Sequence, residues 1–200
     1  MGVLTSPRPA LIETALQLSR RWCAGHLIDG SPALGHAVKV ARKVDQHLPE
    51  ADPALIAAVI LHDAPYFDPP GIDLDAVLNN RLGPAVTRIV RAIEREHLAL
   101  AVAELPAIDV SDPQVVVASA ADKAVSIAAI TRRADRAPNA KAYWSTRRPF
   151  IKRVPYFCAF AEAAAPHLPA GLARELAAAA RKAHDATAPY RWPLPIRRDQ

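Results

Sequence analysis

The chain is poor in sulfur: Cys23 and Cys158 are its only cysteines, and its 200 residues contain a single methionine. Two cysteines cannot staple a small secreted scaffold, so the fold has to rest on a core, and the expectation is a reduced, cytoplasmic protein. No uninterrupted run of eighteen apolar residues occurs, which argues against a membrane-spanning segment. The first residues place no basic cluster ahead of an apolar stretch, so no signal peptide is expected. Glycine is scarce, at seven residues, and no glycine-rich phosphate loop, Walker motif or Ser-His-Asp arrangement is recognisable. Alternating runs of valine, isoleucine and threonine are missing as well, which removes the usual mark of strands.

What is present favours helices. Roughly a fifth of the chain is alanine, and leucine and arginine are common, all strong helix formers. Hydrophobic residues make up 51% and charged residues 22%, a globular balance with enough apolar material for a sizeable core. The expected class is all-α: a compact bundle of about eight helices forming one domain over residues 1–188, with a tail over 189–200. The nineteen prolines fall mostly between periodic segments, as stops or first-turn residues. Helices are expected from Ala10 to Cys23, from Ser31-Pro32 onward, and from Asp52-Pro53 to a break at Pro65. Further helices are expected from Asp73 or Asp75 to Gly83, from Pro84, and from Ser111-Asp112-Pro113. Two more are expected over Tyr143 to Ala164 and Pro169 to Ala186, while Gly25 to Gly30 and the segment after Asp63 read as loops.

Ionisable residues interrupt three of the most apolar segments. His36 sits in the second helix, His62 and Asp63 end the third, and Asp122 lies inside VVVASAADKAVSIAAI. Burying an unpaired carboxylate costs several kcal/mol, on the order of what a whole domain can spare. Each of these residues therefore needs a cation, a hydrogen-bond network or a cleft. Two imidazoles and two carboxylates from three helices can hold one divalent metal, and mixed nitrogen and oxygen ligation suits manganese, iron or zinc better than calcium. Taken singly, each has a plain structural alternative: a helix-end cap for His62-Asp63, or a satisfied core histidine for His36.

The order His36, His62-Asp63, Asp122 resembles the HD domain of metal-dependent phosphohydrolases. The flanking segments narrow the likeness to the RelA/SpoT-type alarmone hydrolases and their small single-domain relatives. Gly30 to His36 is similar to their G-x-P-Y-x-x-H segment, AAVILHD to AALLHD, and VVVASAADKAVSI to V-K-L-A-D-K-L-x-N. The stretch DAVLNNRLGPAVTRIVRAI and the pair Tyr156-Phe157 also have counterparts, so the likeness runs over about residues 10 to 182. The resemblance implies an HD-type helical bundle in which His36, His62, Asp63 and Asp122 bind one divalent metal, manganese first, with iron or zinc as alternatives. It implies an enzyme, a hydrolase that splits a phosphoester or pyrophosphate in a small phosphorylated substrate, a nucleotide resembling guanosine tetraphosphate. In that reaction the metal holds a phosphate oxygen and lowers the pKa of a bound water.

Three features depart from that family. Tyr66 and Phe67 stand where it carries a Glu-Asp pair, with Asp68 one residue later. Leu27 and Ile28 replace a basic pair, and Ser126 replaces an asparagine. Catalytic roles are accordingly expected at Asp63, Asp68 and Tyr66. Substrate contacts are expected at Lys123, Ser126, Arg132, Arg133 and Tyr156, the arginines because guanidinium forks match phosphate geometry. The arginines belong to a basic stretch over residues 132–153 that reads equally well as a solvated face. Nucleic acid is a disfavoured partner for it, because no nucleic-acid-binding motif accompanies the charges. Glu96 and His97 read as an exposed helix end. The altered Glu-Asp pair also admits a regulator that binds metal or nucleotide without turnover.

Overall fold

The computed structural model describes residues 7–28, 30–103 and 105–191. These residues form an all-α bundle with one minimal hairpin. Helix α1 spans Ala10–Trp22 and is followed by strands β1 (Leu27–Ile28) and β2 (Ser31–Pro32), paired antiparallel as Leu27 with Pro32 and Ile28 with Ser31. The hairpin corrects the expectation of a bare loop, and Ser31-Pro32 belong to it rather than to the helix that follows. That helix, α2, begins at Ala33 and runs to His47. Gly30 occupies the turn with φ of 73°, a conformation that glycine adopts without a steric penalty.

Helix α3 covers Pro53–Ile60. Asp52 caps it by accepting from the Ala54 amide, and Pro53 fits the first turn. Leu55 through Ile60 are all buried, so this short helix is apolar on every side and lies at the centre of the core. It ends at Ile60, five residues before the expected break. Leu61, His62 and Asp63 form a turn, and Pro65 sits in the first turn of a four-residue helix, α4 (Ala64–Phe67). Helix α5 (Leu74–Leu82), capped by the Asp73 side chain, leads through Gly83 into α6 (Pro84–Val102). On α6 the buried residues Val86, Ile89, Val90 and Ile93 recur at helical spacing against α3 and α5.

Helix α7 (Pro113–Arg136) is the axis of the bundle. It is capped by Asp112, whose side chain accepts from the Gln114 and Val115 amides, and it packs against α2, α3, α6, α9 (Arg148–Ala164) and α10 (Ala170–Thr187). By length and apolar content it passes for a membrane span, yet most of it is buried inside the bundle, as in a core helix. The single helix expected over residues 143–164 is two. Asn139 caps α8 (Ala140–Ser145), and a break at Thr146–Arg147 precedes α9. Residues 188–190 form a 3-10 turn in which the Tyr190 ring lies 6.4 Å from Trp144. The packed part thus reaches beyond residue 188, and the rest of the expected tail, from residue 192, lies outside the described residues.

Candidate metal centre

A helix turns about 100° per residue, so neighbouring side chains on it diverge. The turn at residues 61–63 removes that constraint. Leu61 (φ −111°, ψ 9°) and Asp63 (φ −91°, ψ 0°) occupy the bridge region, which active-site residues often use. The consecutive side chains of His62 and Asp63 thereby converge, with His62 Nε2 3.1 Å from Asp63 Oδ2. Helix α2 supplies His36, whose Nε2 is 3.0 Å from Asp122 Oδ1 and 3.9 Å from Asp63 Oδ2. Helix α7 supplies Asp122, whose Oδ1 is 3.6 Å from His62 Nε2. All four residues expected to bind metal therefore meet in one place.

His36, His62 and Asp122 are buried, and Asp63 is largely so. The ligand atoms of His36, His62 and Asp122 all lie within 4.8 Å of one another, a spacing that suits a shared divalent cation, with Asp63 beside them. Ligands about 2.1 Å from a common ion stand roughly 3 Å apart when they meet at right angles, close to the separations observed here. The hydrogen-bond pattern agrees. His62 Nδ1 donates to the Val59 carbonyl at 2.7 Å, a contact that fixes the ring and leaves Nε2 facing the cage. Despite their proximity, His62 Nε2 and Asp63 Oδ2 are both buried without a hydrogen-bond partner. Two orphaned polar atoms side by side are costly unless something shared satisfies both.

Electrostatics point the same way. Burial disfavours charge on His62, but Asp63 and Asp122 outweigh it and raise the imidazole well above its usual range. Burial likewise opposes ionisation of Asp122, and the surrounding His36, His62 and His97 rings overcome it, holding this carboxyl well below the ordinary range. Asp63 is lowered too, burial again being offset chiefly by His62. The cage is electrostatically suited to positive charge.

The cage opens into a cavity of about 390 Å³ bordered by His36, Asp63, Tyr66, His97, Asp122 and Arg153. Its remaining wall is largely apolar, with Ile28 of the hairpin, Leu98 and Phe157 among its residues. Sequence reasoning placed His97 on an exposed helix end. The structure instead sets its Nε2 3.4 Å from Asp122 Oδ2, with the ring stacked at 6.2 Å on Tyr66. Its neighbour Glu96 is also drawn inward, to 16% side-chain exposure. The periodicity of α6 held the missed signal: residues 93, 96, 97 and 100 fall on one helical face, with Ile93 and Leu100 buried. Arg153 is the member of the basic stretch that borders this cavity.

The other expected site residues have varied positions. Ser126 Oγ donates to Asp122 Oδ1 at 3.2 Å, beside the cage. Tyr66 lines the cavity with its ring about half exposed. Burial and the Asp63 charge raise its phenol above the ordinary range, so at neutral pH it is a hydrogen-bond donor rather than a base. Asp68 follows α4 and is not part of the cavity wall. Lys123 borders the cavity but is 3% exposed, and its ammonium bonds to Glu96 Oε1 and Ser119 Oγ, each at 2.6 Å. Tyr156, also buried, donates to the same Glu96 oxygen at 2.6 Å. Arg133 reaches Ser31 Oγ at 2.6 Å and ties the hairpin to α7, and Arg132 lines a different groove.

A scan against protein-family models and a search of curated proteins find no match to this chain. The functional reading therefore rests on the geometry and chemistry of these side chains.

Proposed function

We propose that the chain is an HD-type, metal-dependent phosphohydrolase acting on a small phosphorylated molecule, with nucleotides as the substrate class and manganese as the metal. The observation that carries this reading is the pair of orphaned atoms, His62 Nε2 and Asp63 Oδ2, inside a cage completed by His36 and Asp122 at the floor of a cavity. In the proposed enzyme His36, His62, Asp63 and Asp122 hold the metal. When bound, it supplies Lewis-acid polarisation of a phosphoryl oxygen and a water acidified toward neutral pH.

The protein groups do the rest. Asp122 is held in place through both oxygens, by Ser126 on Oδ1 and by His97 on Oδ2, so its orientation is set before substrate arrives. Asp63, ionised and at the cavity wall, accepts a proton from the attacking water. Tyr66 donates a hydrogen bond to a substrate oxygen, and Arg153 at the same wall offsets phosphate charge. The apolar remainder of the wall, including Leu98 and Phe157, excludes water and accommodates the uncharged part of a nucleotide.

The test is a panel of phosphorylated nucleotides incubated with Mn²⁺ and purified protein, read as phosphate or pyrophosphate release. Turnover that disappears in His36→Ala and Asp63→Ala supports the proposal, and absence of turnover across the panel overturns it. A second reading, a regulator that binds metal or nucleotide without turnover, draws on Tyr66 facing the cavity while Asp68 lies off its wall. Metal binding without release of product from any substrate favours that reading.

A further inference from the structure

A concavity of about 860 Å³ lies apart from the candidate metal centre. Helices α2 and α10 form its walls and α7 its floor. Lys39, Arg42 and Lys43 project from α2, Arg132 from α7 and Lys182 from α10, facing only two carboxylates of the lining, Asp45 and Glu175. Glu175 is already engaged by Lys43 at 2.5 Å and His47 at 3.2 Å. Lys182 is held by Asp135 at 2.6 Å. Lys39, Arg42 and Arg132 are exposed and make no ion pair or hydrogen bond with any described residue. The floor is made of short side chains, Ala124, Val125 and Ala128, so it stays open beneath the cations.

We infer that this groove is a second anion site, for a compact polyphosphate-bearing molecule. Lys39 and Arg42 stand three residues apart on one face of α2. With Arg132 on the floor they present to one cavity three positive charges that no described residue neutralises. Guanidinium groups grip phosphate oxygens in pairs, while lysine adds a point charge. The volume lies within the range of pockets that take nucleotide-sized ligands. The cations line the inside of a groove between two helices rather than a convex ridge, which suits a compact anion better than a nucleic-acid strand. Because α2 also carries His36 and α7 carries Asp122, an anion here bridges the two helices that supply the metal cage.

The inference is independent of catalysis, and its test dispenses with metal. Binding of inorganic tripolyphosphate and of ATP is measured by calorimetry in EDTA. The proteins are the wild type, the triple variant Lys39→Gln, Arg42→Gln, Arg132→Gln, and the cage variant His62→Ala. The expected result is wild-type binding that weakens steeply with salt, falls at least tenfold in the triple variant and is unchanged in the cage variant. A triple variant carrying the exchanges Lys39→Arg, Arg42→Lys and Arg132→Lys retains it. If ATP binds and tripolyphosphate does not, the base contributes. If only the cage variant loses affinity, the anion occupies the metal cavity and the inference is wrong. It is equally wrong if the wild type binds neither probe, or if a single-stranded oligonucleotide is the only ligand whose affinity the triple variant loses.

Discussion

His97 Nε2 lies 3.4 Å from Asp122 Oδ2, and their sequence neighbours Glu96 and Lys123 form an ion pair of 2.6 Å. Helices α6 and α7 are thus fastened twice at one level, once by a buried charge pair and once by a contact to the metal cage. Ser119 and Tyr156 add hydrogen bonds to Glu96 of 2.5 and 2.6 Å, and the Phe160 ring lies 4.5 Å from the Lys123 ammonium. The pair is well satisfied, which buried charges need if they are not to destabilise the fold.

The metal centre makes the first prediction. Manganese or zinc retained by the purified protein, measured by elemental analysis after desalting, should fall to background in His62→Ala and in Asp63→Ala. Chelation should lower the melting temperature of the wild type and leave that of the variants unchanged, since a ligand that binds only the folded state stabilises it.

Replacing His97 by alanine should weaken metal affinity by roughly 10–100-fold, the usual effect of removing a group that orients a ligand. Competition with a metal-sensitive dye measures it. An unchanged affinity would show that Asp122 is held adequately by Ser126 alone.

Breaking the Glu96–Lys123 pair should be more costly than removing it. Glu96→Gln leaves a buried ammonium without its counter-charge and should cost about 3–5 kcal/mol. The double variant Glu96→Gln, Lys123→Met should recover most of that loss. Urea denaturation of the two single variants and the double variant closes the cycle.

The same pair has a pH signature. Burial alone would raise the Glu96 carboxyl, but Lys123, Ser119 and Tyr156 overcome it and hold it below the usual glutamate range. A carboxyl lowered on folding adds stability that is complete above its unfolded pKa, about 4.3. That stability is lost as pH falls through the lower folded value. Melting curves should therefore show the wild type's advantage over Glu96→Gln at neutral pH, shrinking once the pH drops below about 4.

Gly83 joins α5 to α6 with φ of 89° and ψ of 165°, a region that only glycine occupies readily. Gly83→Ala should cost about 1–3 kcal/mol and leave metal affinity untouched, because the strain is confined to the joint between the two helices.

Much of the fold was legible because its signals are local. Asp52, Asp73, Asp112 and Asn139 each accept a hydrogen bond from a first-turn amide, and three of them, with Pro53, Pro84 and Pro113, marked helix starts in the sequence. The four cage residues were legible for another reason: ionisable groups inside apolar segments demand an explanation whatever the fold. Glu96 and His97 escaped because EREHL is polar in sequence, and only the packing of α6 on α7 turns two of its residues inward. Lys123 is the converse case. Next to Asp122 it suggested a hand for phosphate, but its charge is spent on a carboxylate sixty residues from Tyr156 and on a different helix from its own. The hairpin at residues 27–32 was invisible to periodicity, since two-residue strands carry none.

The interrupted helix at residues 61–63 has a dynamic corollary. Regular backbone bonding stops where His62 and Asp63 must face one another, so this corner leans on its side chains for rigidity more than α3 does. Withdrawing the ion should be felt there before anywhere else, as faster amide exchange at the α3–α4 junction while the deeper amides of α3 and α7 stay protected.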